Sequence, residues 1–262
     1  MNDTKPPVIV ITIFGSSSPE GQKNLEDVDT MVRKRYPSHD VRWALTSELI
    51  LKKLRESGRG TMFERKVPVQ NLEEVYDSLR REGIPKVSVQ SLLVMTGSEY
   101  NDALTAPAEG LDVEYGYPLL APPDNIERVA RALEPKFGSS ETATVLCSHG
   151  NAKHPGYNAQ LLLMEKYVRK HYRGVFLVTL EGPPGTEAAF AEIKKSGFRG
   201  VKFIPMLIVS GEHITRDIMG DGPNTYKSQL GLPATAEGGM GSNPAIMNIW
   251  AESIDWTLAR LK

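Results

Sequence analysis

Residues 8–18 read VIVITIFGSSS. An unbroken β-branched run with a single threonine, cut off by Gly15 and three serines, is the pattern of a strand buried on both faces that hands over to a helix start. Residues 24–36 follow, with Leu25, Val28, Val32 and Tyr36 at helical spacing, and residues 41–46 predict a second strand. Residues 47–57 carry a further helical pattern through Leu49, Ile50, Lys53 and Leu54. In 71–82, Leu72, Val75, Tyr76 and Leu79 recur at i, i+3, i+4 and i+7 before Gly83 and Pro85 end the helix. Residues 86–95 and 112–120 predict two more strands. The series then restarts: helices over 125–133, 157–172, 186–196 and 245–261, and strands over 142–148, 175–180 and 201–209. Strands alternating with helices over this length predict an α/β fold with parallel sheets and helices on both faces.

The second half reads as a divergent copy of the first. IFG at 13–15 aligns with SHG at 148–150 at an offset of 135, and WALTSE (43–48) with FLVTLE (176–181) at 133. REGIPKVSVQSLLVMTGSE (81–99) aligns with KSGFRGVKFIPMLIVSGEH (195–213) at 114. The expectation is two halves related by a pseudo-twofold duplication, spanning 1–122 and 123–244 and facing a central cleft, with the helix at about 245–262 packing back on the first half.

Composition excludes several classes. The chain has 262 residues, 31 Lys+Arg against 32 Asp+Glu and a net charge of −1, so no global phosphate attraction draws it to nucleic acid. A hydrophobic share of 40% is too high for a disordered chain. The one cysteine, Cys147, excludes an internal disulfide and a multi-cysteine metal site, and reads as a buried core thiol. No apolar run approaches the ~20 residues of a membrane span. The start, MNDTKPPVIVITIFGSS, lacks a basic region, a long apolar stretch and a cleavage site, which predicts a cytoplasmic protein.

In open parallel sheets ligands bind beyond the carboxyl ends of the strands. The polar residues there are Gly15, Ser16 and Ser17 beside Phe14, then Glu99, His149, Glu181 and His213. Under the repeat, Phe14 is equivalent to His149 and Glu99 to His213. Two imidazoles and a carboxylate from separate strand ends suit Co²⁺, Fe²⁺, Ni²⁺ or Zn²⁺, and three protein ligands leave positions open for substrate. No HExxH or CxxC spacing fixes such a site. A histidine after a strand commonly serves as a hydrogen-bonding turn residue, and a glutamate there can favour a helix N-terminus. His39, His154 and His171 read as surface residues. The serine run lacks GxGxxG or GxxxxGK[ST], which disfavours a nucleotide or FMN site. Lys52, Lys53, Arg55 and Arg59 read as a solvated helix face, able to attract a polyanion if they rim the cleft.

At IFGSS (13–17), ALTSELILKKLR (44–55), VQSLLVMTGSEY (89–100), CSHGNAKH (147–154), PMLIVSGEHITRDI (205–218) and SNPAI (242–246), the sequence resembles the anaerobic-type sirohydrochlorin cobaltochelatases of cobalamin biosynthesis, within the class II chelatases. The resemblance runs along nearly the whole chain. It implies two flavodoxin-like halves and insertion of Co²⁺ into a tetrapyrrole, with iron or nickel insertion, or non-catalytic tetrapyrrole or metal carriage, as the rival readings. It implies that His149 binds metal and accepts a proton, that His213 is the second histidine ligand, and that Glu181 completes the metal site. Glu99 matches the carboxylate of the family's third-strand motif and is expected to be catalytic, and Glu48 is given no role; apart from the resemblance, Phe14, Gly15, Ser16, Ser17 and Leu92 are the expected substrate-binding residues, with backbone N–H groups near Gly15–Ser17 for the substrate carboxylates. It implies no cofactor beyond the substrate Co²⁺, no membrane or nucleic-acid partner, and a homo-oligomer.

Overall fold

The computed structural model describes residues 5–209, 211 and 213–261. It divides into two compact units, one of residues 1–119 with 247–262 and one of 120–246. The first unit runs β1 (Val8–Ile13), α1 (Pro19–Arg35), β2 (Val41–Leu45), α2 (Glu48–Glu56), β3 (Thr61–Met62), β4 (Val67–Pro68), α3 (Leu72–Arg81), β5 (Lys86–Ser91), α4 (Ser98–Thr105) and β6 (Asp112–Tyr115). The second runs α5 (Asn125–Leu133), β7 (Thr142–Gly150), α6 (Ala159–His171), β8 (Val175–Glu181), α7 (Glu187–Lys195), β9 (Gly200–Pro205), a π-helical turn His213–Ile218, α8 (Tyr226–Leu230) and β10 (Ala234–Ala236). The last helix, α9 (Pro244–Arg260), passes from the second unit into the first.

Each unit holds a four-stranded parallel sheet. The orders are β2-β1-β5-β6 and β8-β7-β9-β10, the same succession of central and flanking strands. In the first unit every residue of β1 is buried. Val8 and Val10 pack with Val75, Tyr76 and Leu79 of α3, and strand alternation turns Ile9 and Ile11 to the other face. The buried carboxylate of Asp29 on α1 takes both of its oxygens to Arg33 Nε at 2.9 Å and accepts from Trp43 Nε1 at 2.8 Å. Helix α9 is tied to this unit by Tyr36 Oη donating to the Ala251 carbonyl at 2.8 Å, and by Ser253 Oγ accepting from Tyr117 N–H at 2.8 Å. In the second unit Val145, Cys147, Phe176 and Phe203 form one core with Phe190, Ile214, Ile218 and Tyr226. Burial leaves Cys147 a core thiol and pushes its pKa well up.

The registers test the repeat residue by residue. Thr12 is paired with Ser91, and Cys147 with Pro205, which satisfies the offsets of 135 and 114 together. The third offset is corrected: Ile11 is paired with Trp43, and its counterpart Leu146 with Leu177, an offset of 134 rather than 133. A one-residue slip exchanges the two faces of a strand, so the aligned letters of WALTSE and FLVTLE do not mark equivalent positions.

Other differences have local causes. The strand expected over 201–209 stops at Pro205, because the carbonyls of Leu207 and Ile208 accept from Met240 and Gly241 of a loop instead of from a strand. The strand expected over 112–120 stops at Tyr115, ahead of Gly116 and Pro118. The β3–β4 hairpin, α4, α8 and β10 are too short to show a period in sequence. Ser210 and Glu212, read as part of a strand end, lie outside the described residues. No helix among the described residues is long and apolar enough to cross a membrane.

Candidate functional site

The second unit carries a pocket of ≈ 740 Å³ at the carboxyl end of its sheet, lined by His149, Glu181 and His213 together with Arg216, Asp217 and Thr225. Its size falls in the range of small-molecule sites. Three backbone segments build it. Strand β7 extends through His149 to Gly150, whose neighbour in register on β8 is Glu181. Gly150 has φ +73°, and a Cβ there would collide with the Glu181 carbonyl oxygen, so only glycine lets the two strand ends come this close. The loop after β8 is held by Thr179, whose Oγ1 donates to the Gly182 carbonyl at 2.6 Å and accepts from Gly185 N–H at 3.0 Å. Tyr226 Oη donates to the Thr179 carbonyl at 2.8 Å, and burial pushes its phenol pKa above the ordinary value.

The third segment is the π-helical turn. Ile214 and Ile218 are sunk in the core, and Met219 N–H bonds the Ile214 carbonyl at 2.9 Å, the wide i→i−5 closure. Such turns are rare and concentrate at functional sites. Here the turn brings the His213 ring edge-on to His149, with centroids 5.0 Å apart and planes at 77°. Two imidazoles bonding one ion through Nε2 at about 2.1 Å hold their centroids about 4.6–5.3 Å apart for donor angles between octahedral and tetrahedral; the observed spacing lies inside that range. His149 Nδ1 is 3.0 Å from the Gly150 carbonyl oxygen, and His213 Nδ1 is 2.7 Å from Asp217 Oδ2. Both partners are acceptors, so each takes a hydrogen from Nδ1, an arrangement that in the neutral ring places the lone pair on Nε2.

The histidine pair expected from the strand ends is therefore brought together. Glu181 lines the same pocket but is exposed, and among the described residues no three His, Cys, Asp or Glu side chains converge as a preformed metal site. Closing Glu181 on an ion costs about 1.5–2 kcal/mol of rotamer freedom. The first unit places Phe14, Gly15, Ser16 and Ser17 after β1, with Phe14 48% exposed. Ser16 and Ser18 bond each other, and Ser18 caps α1 by accepting from Gly21 N–H at 3.1 Å. Arg59 Nη1 reaches the Ser17 carbonyl at 3.5 Å. Glu99 stands in the first turn of α4, where Ser98 Oγ donates to it at 3.4 Å. Leu92 is buried, at 2% exposure. His154 and His171 are exposed as expected; His39 is half-buried, and burial lowers its pKa. Asp217 went unread in the sequence, although its i+4 spacing from His213 was a visible signal.

The family model described as Cobalt chelatase (CbiK) matches residues 7–259. Sirohydrochlorin cobaltochelatase CbiKC of Nitratidesulfovibrio vulgaris is 31% identical over 235 residues, covering 85% of this chain and 78% of that protein. Sirohydrochlorin cobaltochelatase of Salmonella typhimurium is 25% identical over 249 residues, covering 91% of each. Among solved structures, SirB from Bacillus subtilis with Fe³⁺ has a TM-score of 0.67 at 13% identity, over 97% of this chain and 96% of that one. CbiX, described as the terminal enzyme for biosynthesis of siroheme in denitrifying bacteria, has a TM-score of 0.56 at 16% identity, over 96% and 98%. At those identities the structures speak for the fold, two similar α/β halves. The match of the family model along nearly the whole length, with a relative above 30% identity over most of it, places this chain in the cobalt chelatase (CbiK) family.

Proposed function

We propose that this chain inserts Co²⁺ into sirohydrochlorin as a step of cobalamin biosynthesis, with His149 and His213 holding the substrate metal and Glu181 closing on it. The observation that carries the reading is the 5.0 Å ring pair over a pocket that contains an exposed carboxylate and no thiolate. Neutral imidazole binds Co²⁺ well and still exchanges, whereas thiolates hold borderline metals too tightly to hand over. Cys147, protonated in the core, cannot intervene.

Placing M²⁺ in a tetrapyrrole releases two protons from pyrrole nitrogens, so a base must stand where the metal is delivered. Histidine as a residue type suits such a base, because its unperturbed pKa of ~6.5 lies near working pH. We assign this step to His149 Nε2, freed as the metal leaves it. Its Nδ1–H donates to the Gly150 carbonyl, which orients the ring with Nε2 toward the delivered metal. We assign the second proton to the Glu99 carboxylate, in the first turn of α4. The nitrogen and oxygen donors do not by themselves separate Co²⁺ from Fe²⁺ or Ni²⁺.

The test is to replace His149 and His213 singly by Ala and follow the macrocycle absorption during insertion of Co²⁺, Fe²⁺ and Ni²⁺. The expected result is loss of insertion in both variants, with Co²⁺ the fastest metal for the unaltered chain. Near-unaltered rates in both variants would remove the site. Binding of tetrapyrrole and Co²⁺ with no insertion above the uncatalysed rate would make the protein a carrier.

A further inference from the structure

The two histidines have different second partners, and the difference assigns a role to a residue outside the ligand set. His149 Nδ1 faces a neutral backbone carbonyl, while His213 Nδ1 faces the Asp217 carboxylate at 2.7 Å. We propose that Asp217 is the positioning residue for His213: it holds the ring in the Nδ1–H form, orients Nε2 for the metal, and makes His213 the anchoring ligand while His149 is the one that lets go. This rests on His213 being a metal ligand.

Three observations support it. A carboxylate accepts and does not donate, so the neutral ring beside it has one tautomer. The turn that carries both residues is rigidly seated. Ile214 and Ile218 are buried in the core, and Gly220 closes the turn where any Cβ would strike the Arg216 carbonyl oxygen. Finally, the pair does little for folding, since both side chains are near half exposed, at 46% and 42%, and exposed ion pairs add little stability. A 2.7 Å bond on a rare turn that contributes little to the fold is explained by what it does to the ring. Carboxylates behind ligating histidines typically matter about 10–100-fold in metal affinity.

The experiment uses the full chain without tetrapyrrole, comparing Asp217→Ala, Asp217→Asn, Asp217→Glu and His213→Ala. Long-range proton–nitrogen NMR of the histidine rings reports the tautomer, and the visible absorption of bound Co²⁺ reports affinity. Expected are an Nδ1–H signal for His213 in the unaltered chain and a mixed tautomer in the Ala and Asn variants. Their Co²⁺ Kd should rise about 10–100-fold at unchanged Tm, with recovery of at least half of the lost binding in Asp217→Glu. Asn matches Asp in shape but can donate to Nδ1, so a purely steric role would leave Asp217→Asn unaltered. If Asp217→Ala and Asp217→Asn keep the tautomer and a Kd within twofold while His213→Ala loses Co²⁺, the proposal fails and the site reading stands. If His213→Ala binds Co²⁺ like the unaltered chain, the site reading fails and takes the proposal with it.

Discussion

The two units share a strand order and a register but not a chemistry. Where β1 of the first unit ends in Phe14, β7 of the second ends in His149 and Gly150. Where β5 leads to an ordinary helix α4 that begins Ser98-Glu99, β9 leads to a π-helical turn that begins at His213. The scaffold supplies the same two positions twice. One copy fills them with an exposed ring and a carboxylate, the other with two imidazoles in contact. Thus a duplicated sheet fixes where functional groups stand, and single residues at strand ends decide what each copy does.

The sharpest way to break this contrast is to exchange equivalent positions. His149→Ala or His213→Ala should lower insertion about 10²–10⁴-fold, the range of a lost base or ligand. Phe14→Ala, at the equivalent position in the first unit, should cost less than about tenfold and fall on KM. Equal losses at Phe14 and His149 would erase the division of labour.

The units also differ in what is buried. The first has a charge in its core, Asp29 between Arg33 and Trp43, with Arg65 at 3.4 Å. Asp29→Ala leaves a guanidinium and an indole N–H without their acceptor, and should lower stability by about 3–5 kcal/mol in urea unfolding while Co²⁺ affinity is unchanged. The carboxylates at the strand ends divide similarly. Glu181→Gln should raise the Co²⁺ Kd about tenfold, whereas Glu99→Gln should leave it within twofold and slow insertion only, read by titration and by turnover.

Legibility in the sequence followed the same division. Long elements with an uninterrupted period, such as β1, α3 and α5, were readable because burial imposes the pattern on every turn or alternate residue. The histidine pair was readable because strand ends and an internal repeat together locate equivalent positions. The π-helical turn was not: GEHITRD follows an apolar run, and only the N–H groups of Met240 and Gly241, donating to the Leu207 and Ile208 carbonyls, end the strand before it. The repeat misled at β2 and β8, where similar letters sit one residue out of register.

Two smaller effects sharpen the comparison. Thr12 and Cys147 are equivalent and both buried, Thr12 bonded to Ser91 Oγ at 2.7 Å. Cys147 should resist iodoacetamide at pH 8 in the folded chain and react on unfolding, because burial keeps the thiol protonated. The edge strands carry Glu114 on β6, paired with Arg260, and Glu237 after β10, paired with Lys202 at 2.7 Å and Lys136 at 3.2 Å. The Lys202 hydrogen bond, followed by Lys136, holds the Glu237 pKa below the ordinary value. A lowered folded pKa gives stability above the unfolded value and loses it as pH falls. Glu237→Gln should therefore cost under about 1 kcal/mol at pH 7, in a partly exposed pair, with the difference shrinking as pH falls below the ordinary glutamate value and vanishing below the lowered folded one.

The most direct measurement is an anomalous difference map at the cobalt absorption edge, from crystals of the full chain grown with Co²⁺. The expected result is a single strong peak bonded to Nε2 of both His149 and His213, with the Glu181 carboxylate drawn onto it. A cobalt bound elsewhere while these two rings stay unligated would contradict the assignment.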